Sequence, residues 1–85
     1  MTIKLHTYLQ MRRLANGKSQ KEVAEHLGHK TPQMVSNWER GQCLPPLNDI
    51  KKLCTFIGAK FSEVSEMIID IKLAETRAKL KEEIR

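Results

Sequence analysis

Apolar residues recur along the 85-residue chain at helical rather than strand intervals, and glycine or proline interrupts the pattern at nearly regular points. Leu5, Tyr8, Leu9 and Arg12/Arg13 fall on one side of a helix expected over residues 3–15, with Thr2 as its cap and Asn16-Gly17 as its stop. Ser19-Gln20-Lys21-Glu22 is a capping box, in which serine and glutamate satisfy each other's free amide; Val23, Ala24 and Leu27 then supply an apolar face before Gly28. Thr31-Pro32 opens a third helix over 32–39, threonine capping and proline taking the first helical position, and Gly41 closes it. Cys43-Leu44-Pro45-Pro46 reads as a loop, after which Ile50, Leu53, Cys54 and Ile57 mark a fourth helix ended by Gly58. Ser62 opens the last helix, where Val64, Met67, Ile68, Ile71, Leu73, Leu80 and Ile84 continue the pattern to the C-terminus with neither glycine nor proline.

Composition agrees with five helices. Leu, Ile, Ala, Lys, Glu and Gln prevail over only four aromatics, so an all-α bundle is expected; 40% hydrophobic residues suffice for one modest core and leave no room for a multidomain enzyme. Charge is unevenly placed: residues 1–61 carry ten Lys/Arg against four acids, and residues 62–85 carry five against six. The basic excess therefore sits in the front two-thirds, where it suits a polyanionic partner. The absence of an N-terminal apolar segment and of any membrane-length apolar run points to the cytoplasm and to no membrane partner. In that compartment Cys43 and Cys54 are expected as ordinary thiols, and His26 and His29, with Gly28 between them and no third ligand at a metal spacing, as surface imidazoles. No metal or other cofactor is expected. No Ser/His/Asp or Cys/His set and no glycine-rich phosphate loop argues for an enzyme.

Two short helices joined through a glycine, the second with a polar outer face, describe a helix-turn-helix. On the 32–39 helix Val35 and Trp38 pack inward, which turns Gln33, Met34, Ser36 and Asn37 outward. A helix fills the DNA major groove, and the amides of Gln33 and Asn37, four apart on one face, carry the donor and acceptor that match adenine N6 and N7.

The run Ser19-Gln20-Lys21-Glu22-Val23-Ala24-Glu25-His26-Leu27-Gly28, then Val35-Ser36-Asn37-Trp38-Glu39-Arg40-Gly41, then Leu53 through Gly58 and Ser62-Glu63-Val64, resembles the lambda-repressor/Cro-like (xenobiotic-response-element type) helix-turn-helix family over about residues 3–68. The resemblance implies a compact five-helix DNA-binding domain over 1–68, usually a dimer on a palindromic operator in double-stranded DNA, acting as repressor or activator. It places Gln20 on a phosphate, Gln33 and Asn37 on bases with Thr31, Met34 and Ser36 flanking them, and Arg40 and Gln42 along the backbone. It also pairs Arg13 with Glu39 as an ion pair joining the first helix to the third. Two departures bear on the site. One extra residue in His29-Lys30-Thr31-Pro32 lengthens the turn and sets Pro32, which cannot donate to a base, at the helix tip, so weight moves onto Lys30. Lys18 stands where the family usually has an apolar residue, making that corner more basic and adding Lys18 to the phosphate-contacting set.

The segment 69–85 exceeds what such a domain needs. Its apolar residues Ile69, Leu73, Leu80 and Ile84 recur at intervals of four, seven and four, a stripe suited to a second copy of the chain. The competing reading is an antitoxin-type interaction module whose C-terminal helix holds a partner protein.

Overall fold

The computed structural model describes residues 3–84, the side chain of Ile84 excepted, and among these the chain is all helical: α1 (Leu5–Ala15), α2 (Gln20–His26), α3 (Gln33–Glu39), α4 (Leu47–Ile57) and α5 (Phe61–Ile84). Each helix contributes one stripe to a common core. Leu5 and Leu9 from α1, Val23 and Ala24 from α2, Val35 and Trp38 from α3, Ile50, Leu53, Cys54 and Ile57 from α4, and Val64 and Ile68 from α5 are all buried. Leu27, just past α2, closes the cluster, and Tyr8, Leu44, Phe56, Met67 and Ile71 pack around it. Trp38 is 2% exposed, and its indole N–H has no hydrogen-bond partner among the described residues. Burying a tryptophan's ~150–250 Å² yields about 4–6 kcal/mol, which outweighs the ~1–3 kcal/mol lost with one unmade bond.

Helix boundaries follow local chemistry. The Ser19/Glu22 capping box is present in both directions at 3.0 Å, and the Ser19 backbone N–H holds the Glu22 carboxyl below the usual carboxylate range. Gly28, in the turn of the helix-turn-helix, and Gly41, just past its second helix, lie in the left-handed region at φ 82° and 75°, which lets the chain fold back: the His29 N–H reaches the Ala24 carbonyl at 2.8 Å, and the Gln42 N–H reaches the Asn37 carbonyl at 3.0 Å.

Three starts differ from expectation, among them that of α5, which opens at Phe61, one residue before Ser62. α1 begins at Leu5 after an extended Lys4 with no side-chain cap, two residues later than the periodicity predicts; the expected cap Thr2 lies outside the described residues. α3 begins at Gln33 rather than Pro32, because Pro32 adopts ψ 1° as the flanking residue; Thr31 Oγ accepts from the Gln33 N–H only at 3.4 Å, a long cap.

Polar side chains fix how the helices meet. Asn16 donates to the Arg12 carbonyl at 3.0 Å and to the Ile57 carbonyl at 2.6 Å, while Arg12 Nε donates to the Gly58 carbonyl at 3.1 Å, so the end of α1 satisfies the open carbonyls at the end of α4. Tyr8 donates to Glu63 at 2.9 Å, joining α1 to α5; burial, and next this hydrogen bond, push its hydroxyl above the ordinary tyrosine value. Beyond Ile71, α5 leaves the body of the domain, and residues 72–83 are exposed throughout. At 1.5 Å per residue its 24 residues run to about 36 Å, most of the molecule's 47 Å long axis. No helix among the described residues is long and apolar enough to cross a membrane.

Candidate nucleic-acid interface

α3 is anchored from beneath. Val35 and Trp38 enter the core on its inner side, and Glu39 makes the buried ion pair expected with Arg13: Nε to Oε2 at 2.6 Å and Nη2 to Oε1 at 3.0 Å, with side chains 9% and 5% exposed. Arg13 Nη1 also donates to the Lys18 carbonyl at 2.7 Å, and Gln20 Nε2 donates to Glu39 Oε1 at 3.1 Å. One guanidinium and one carboxylate thus tie together the end of α1, the turn before α2, the start of α2 and the end of α3. The two-pronged geometry fixes orientation as well as distance, so α3 is held in a set attitude relative to α2.

Outward from that anchor stand the predicted readers. Gln33 and Met34 are exposed, Ser36 and Asn37 half-buried, and Gln33 Nε2 donates to Asn37 Oδ1 at 3.0 Å, so the structure brings the two amides together as their four-residue spacing predicts. Arg40 is exposed and its Nη2 donates to the same Asn37 oxygen at 2.9 Å, a link that its three-residue spacing permits but that the helical pattern alone does not specify. Lys30, Thr31 and Gln42 are exposed at the two ends of the helix.

Other predicted residues are placed differently from a freely solvated surface. Lys18 holds its Nζ 4.7 Å above the ring of Phe56, and His26 stacks on that ring at 4.1 Å, so a three-member stack from the α1–α2 turn, α2 and α4 occupies the corner expected to be open and basic. Gln20 is half-buried with one amide hydrogen committed to Glu39. His29 is no surface imidazole: its Nε2 lies 3.0 Å from Asp49 Oδ2 and its ring meets Trp38 edge-on at 5.9 Å, which pins the long turn before α3 to α4. Nothing in the sequence marks that contact, since His29 and Asp49 are twenty residues apart and neither follows an apolar period. Among the described residues no three His, Cys, Asp or Glu side chains gather as a metal site, and Cys43 (exposed) and Cys54 (buried) are both free thiols; burial raises the Cys54 thiol above its ordinary value.

Residues 9–64, well over half of the chain, match the family described as Helix-turn-helix. No curated protein matches the chain. Among solved structures, the crystal structure of the clp gene regulator ClgR from Corynebacterium glutamicum is similar, with a TM-score of 0.63 and 24% identity over 92% of this chain and 83% of that one. Likeness at this identity bears out the five-helix fold. The family match is to DNA-binding regulators and not to enzymes.

Proposed function

The chain belongs to the helix-turn-helix family, and from that premise we propose that it is a sequence-specific, double-stranded DNA-binding transcription regulator of the cytoplasm, a repressor or activator that reads the major groove with α3. The observation that carries this reading is the division of α3 into two faces: a buried one locked by Val35, Trp38 and the Arg13/Glu39 pair, and an outward one of hydrogen-bonded amides flanked by exposed Lys30 and Arg40. Seven residues make a helix about 10 Å long and 10–12 Å across its side chains, which fits a groove ~12 Å wide. Gln33 and Asn37 read bases, with Lys30, Thr31, Met34 and Ser36 at the margins. Gln20 and Gln42 face phosphate; Arg40 lies on the same side, and Lys18 reaches phosphate only by leaving Phe56. The similar fold of ClgR, a gene regulator, is consistent with this role.

The α5 extension serves as the dimerisation element in this reading. Ile69, Leu73 and Leu80 are 49%, 53% and 57% exposed and stand outside the domain's core, and Ile84, which continues their stripe, has its side chain outside the described residues. A two-helix pairing of such stripes would carry two copies of α3 about one DNA turn, ~34 Å, apart on a palindrome. Selection of bound duplexes from a random DNA pool tests the function. A convergent, two-fold symmetric motif is expected, and a pool that stays random after repeated rounds overturns sequence-specific binding.

A further inference from the structure

We propose that Arg40 is a positioning residue for base readout, clamping Asn37 so that Asn37 offers only N–H donors to the groove and selects guanine, while Gln33 selects adenine. The inference rests on the DNA-reading role of α3 given above and refines it. A guanidinium can only donate, so the Asn37 atom 2.9 Å from Arg40 Nη2 must be the carbonyl oxygen, which fixes the orientation of the Asn37 amide. That same oxygen lies 3.0 Å from Gln33, whose contacting atom must then be its amide nitrogen. The carbonyl has two lone pairs and both are taken.

What remains free is unequal on the two side chains. Asn37 keeps both of its N–H groups and no acceptor. Gln33 keeps its whole carbonyl oxygen and one N–H. In the major groove adenine shows an acceptor beside a donor, N7 and N6–H, whereas guanine shows two acceptors, N7 and O6. Gln33 therefore still has the acceptor and donor that adenine needs, and Asn37 has the two donors that guanine needs. The spacing alone gives the two amides the same adenine preference; the Arg40 contact separates them. Arg40 is well suited to the clamp because it lies just past the last residue of α3, one turn beyond Asn37, and is itself exposed, so its charge needs no buried partner. A role confined to phosphate contact would leave one lone pair of the Asn37 oxygen, otherwise held only by Gln33, open to accept from adenine.

The test uses the full chain and the duplex selected from the random pool. Asn37→Ala first identifies the base pair that Asn37 reads, as the one position whose preference it abolishes. Wild-type protein is then measured against duplexes carrying each of the other three base pairs there, alongside Arg40→Ala and Arg40→Lys. Wild type is expected to favour guanine over adenine at that position by about 5- to 150-fold, the range of one good two-bond contact. Arg40→Ala should move that ratio at least fivefold towards adenine and leave the Gln33 position unchanged, and Arg40→Lys, which still donates, should restore part of it. In the free protein, nuclear magnetic resonance should show the Asn37 side-chain amide signals shifting in Arg40→Ala, a readout that needs no DNA. The proposal is overturned if wild type prefers adenine at the Asn37 position, or if Arg40→Ala weakens every duplex equally with the base ratio unmoved. An Asn37→Ala protein with no changed position overturns the proposal as well, whereas a pool that never converges overturns the DNA-reading role itself and is distinguishable from these results.

Discussion

Replacing Glu39 with glutamine tests whether the Arg13/Glu39 pair holds the fold together. The substitution keeps the side chain's size but removes its charge, and leaves a guanidinium that is 9% exposed and always charged facing a neutral amide. Breaking one partner of a buried, hydrogen-bonded pair costs about 3–5 kcal/mol. An 85-residue domain has roughly 4–13 kcal/mol of stability at ~0.05–0.15 kcal/mol per residue, so Glu39→Gln should consume a large share of it. At about 4–8 °C per kcal/mol the melting temperature should fall by at least ~12 °C. Two controls separate burial from mere charge. Glu75→Gln removes the partner of Lys72 in a 3.9 Å pair whose side chains are 63% and 56% exposed, and should cost under ~0.5 kcal/mol. Arg13→Met combined with Glu39→Leu removes both charges and should recover most of the loss, since a buried pair and apolar residues of similar volume are often close in energy. Thermal and urea unfolding followed by circular dichroism reads all three. A Glu39→Gln protein that loses less than ~1 kcal/mol, or no more than Glu75→Gln, would refute the reasoning.

Gly28→Ala and Gly41→Ala both place a side chain at positive φ, at a cost of ~1–2 kcal/mol. An added Cβ meets open space at Gly28 but sits 2.9 Å from the His6 ring at Gly41, so urea unfolding should find Gly41→Ala the costlier, with His6→Ala recovering the difference. Cys43 is exposed and Cys54 is buried with a raised thiol pKa, so native protein should take up one equivalent of alkylating reagent rapidly and a second only on unfolding; two fast equivalents would contradict the packing of α4. A chain ending at Asp70 should keep the helix content of α1 to α4 and sediment as a monomer. If it stays dimeric at micromolar concentration, the part of α5 beyond Asp70 is not the dimer element and a different partner for its exposed stripe is favoured.

The elements legible in the sequence are those fixed by neighbours in the chain. Leu5 and Leu9 lie on one turn-to-turn stripe, Ser19 and Glu22 close a ring across four residues, and Gly28 and Gly41 mark reversals that few other residues tolerate. Gln33 and Asn37 meet because a helix brings residues four apart together. The Arg13/Glu39 pair spans 26 residues and is legible through family resemblance, not periodicity. Contacts between helices leave no such trace. Lys18 and His26 on Phe56, His29 with Asp49, Arg12 and Asn16 on the end of α4, and Tyr8 with Glu63 join residues 20 to 55 positions apart, or meet as aromatic stacks. Each depends on the angle at which two helices cross, which the core decides and no local pattern encodes. The start of α3 falls one residue later than its local signals predict for a related reason: Pro32 could serve as first helical residue or as flank, and its ψ is settled by the turn that His29 ties to α4.

The most direct measurement of the central claim compares wild type with the Gln33→Ala and Asn37→Ala proteins on the selected duplex and on an unrelated one, at a single salt concentration. If the outward face of α3 reads sequence, wild type should bind the selected duplex at least ~10³-fold more tightly than the unrelated one, and each alanine should cost ~1–3 kcal/mol on the selected duplex while leaving the unrelated affinity nearly unchanged. Equal losses on both duplexes, or no loss on either, would contradict it.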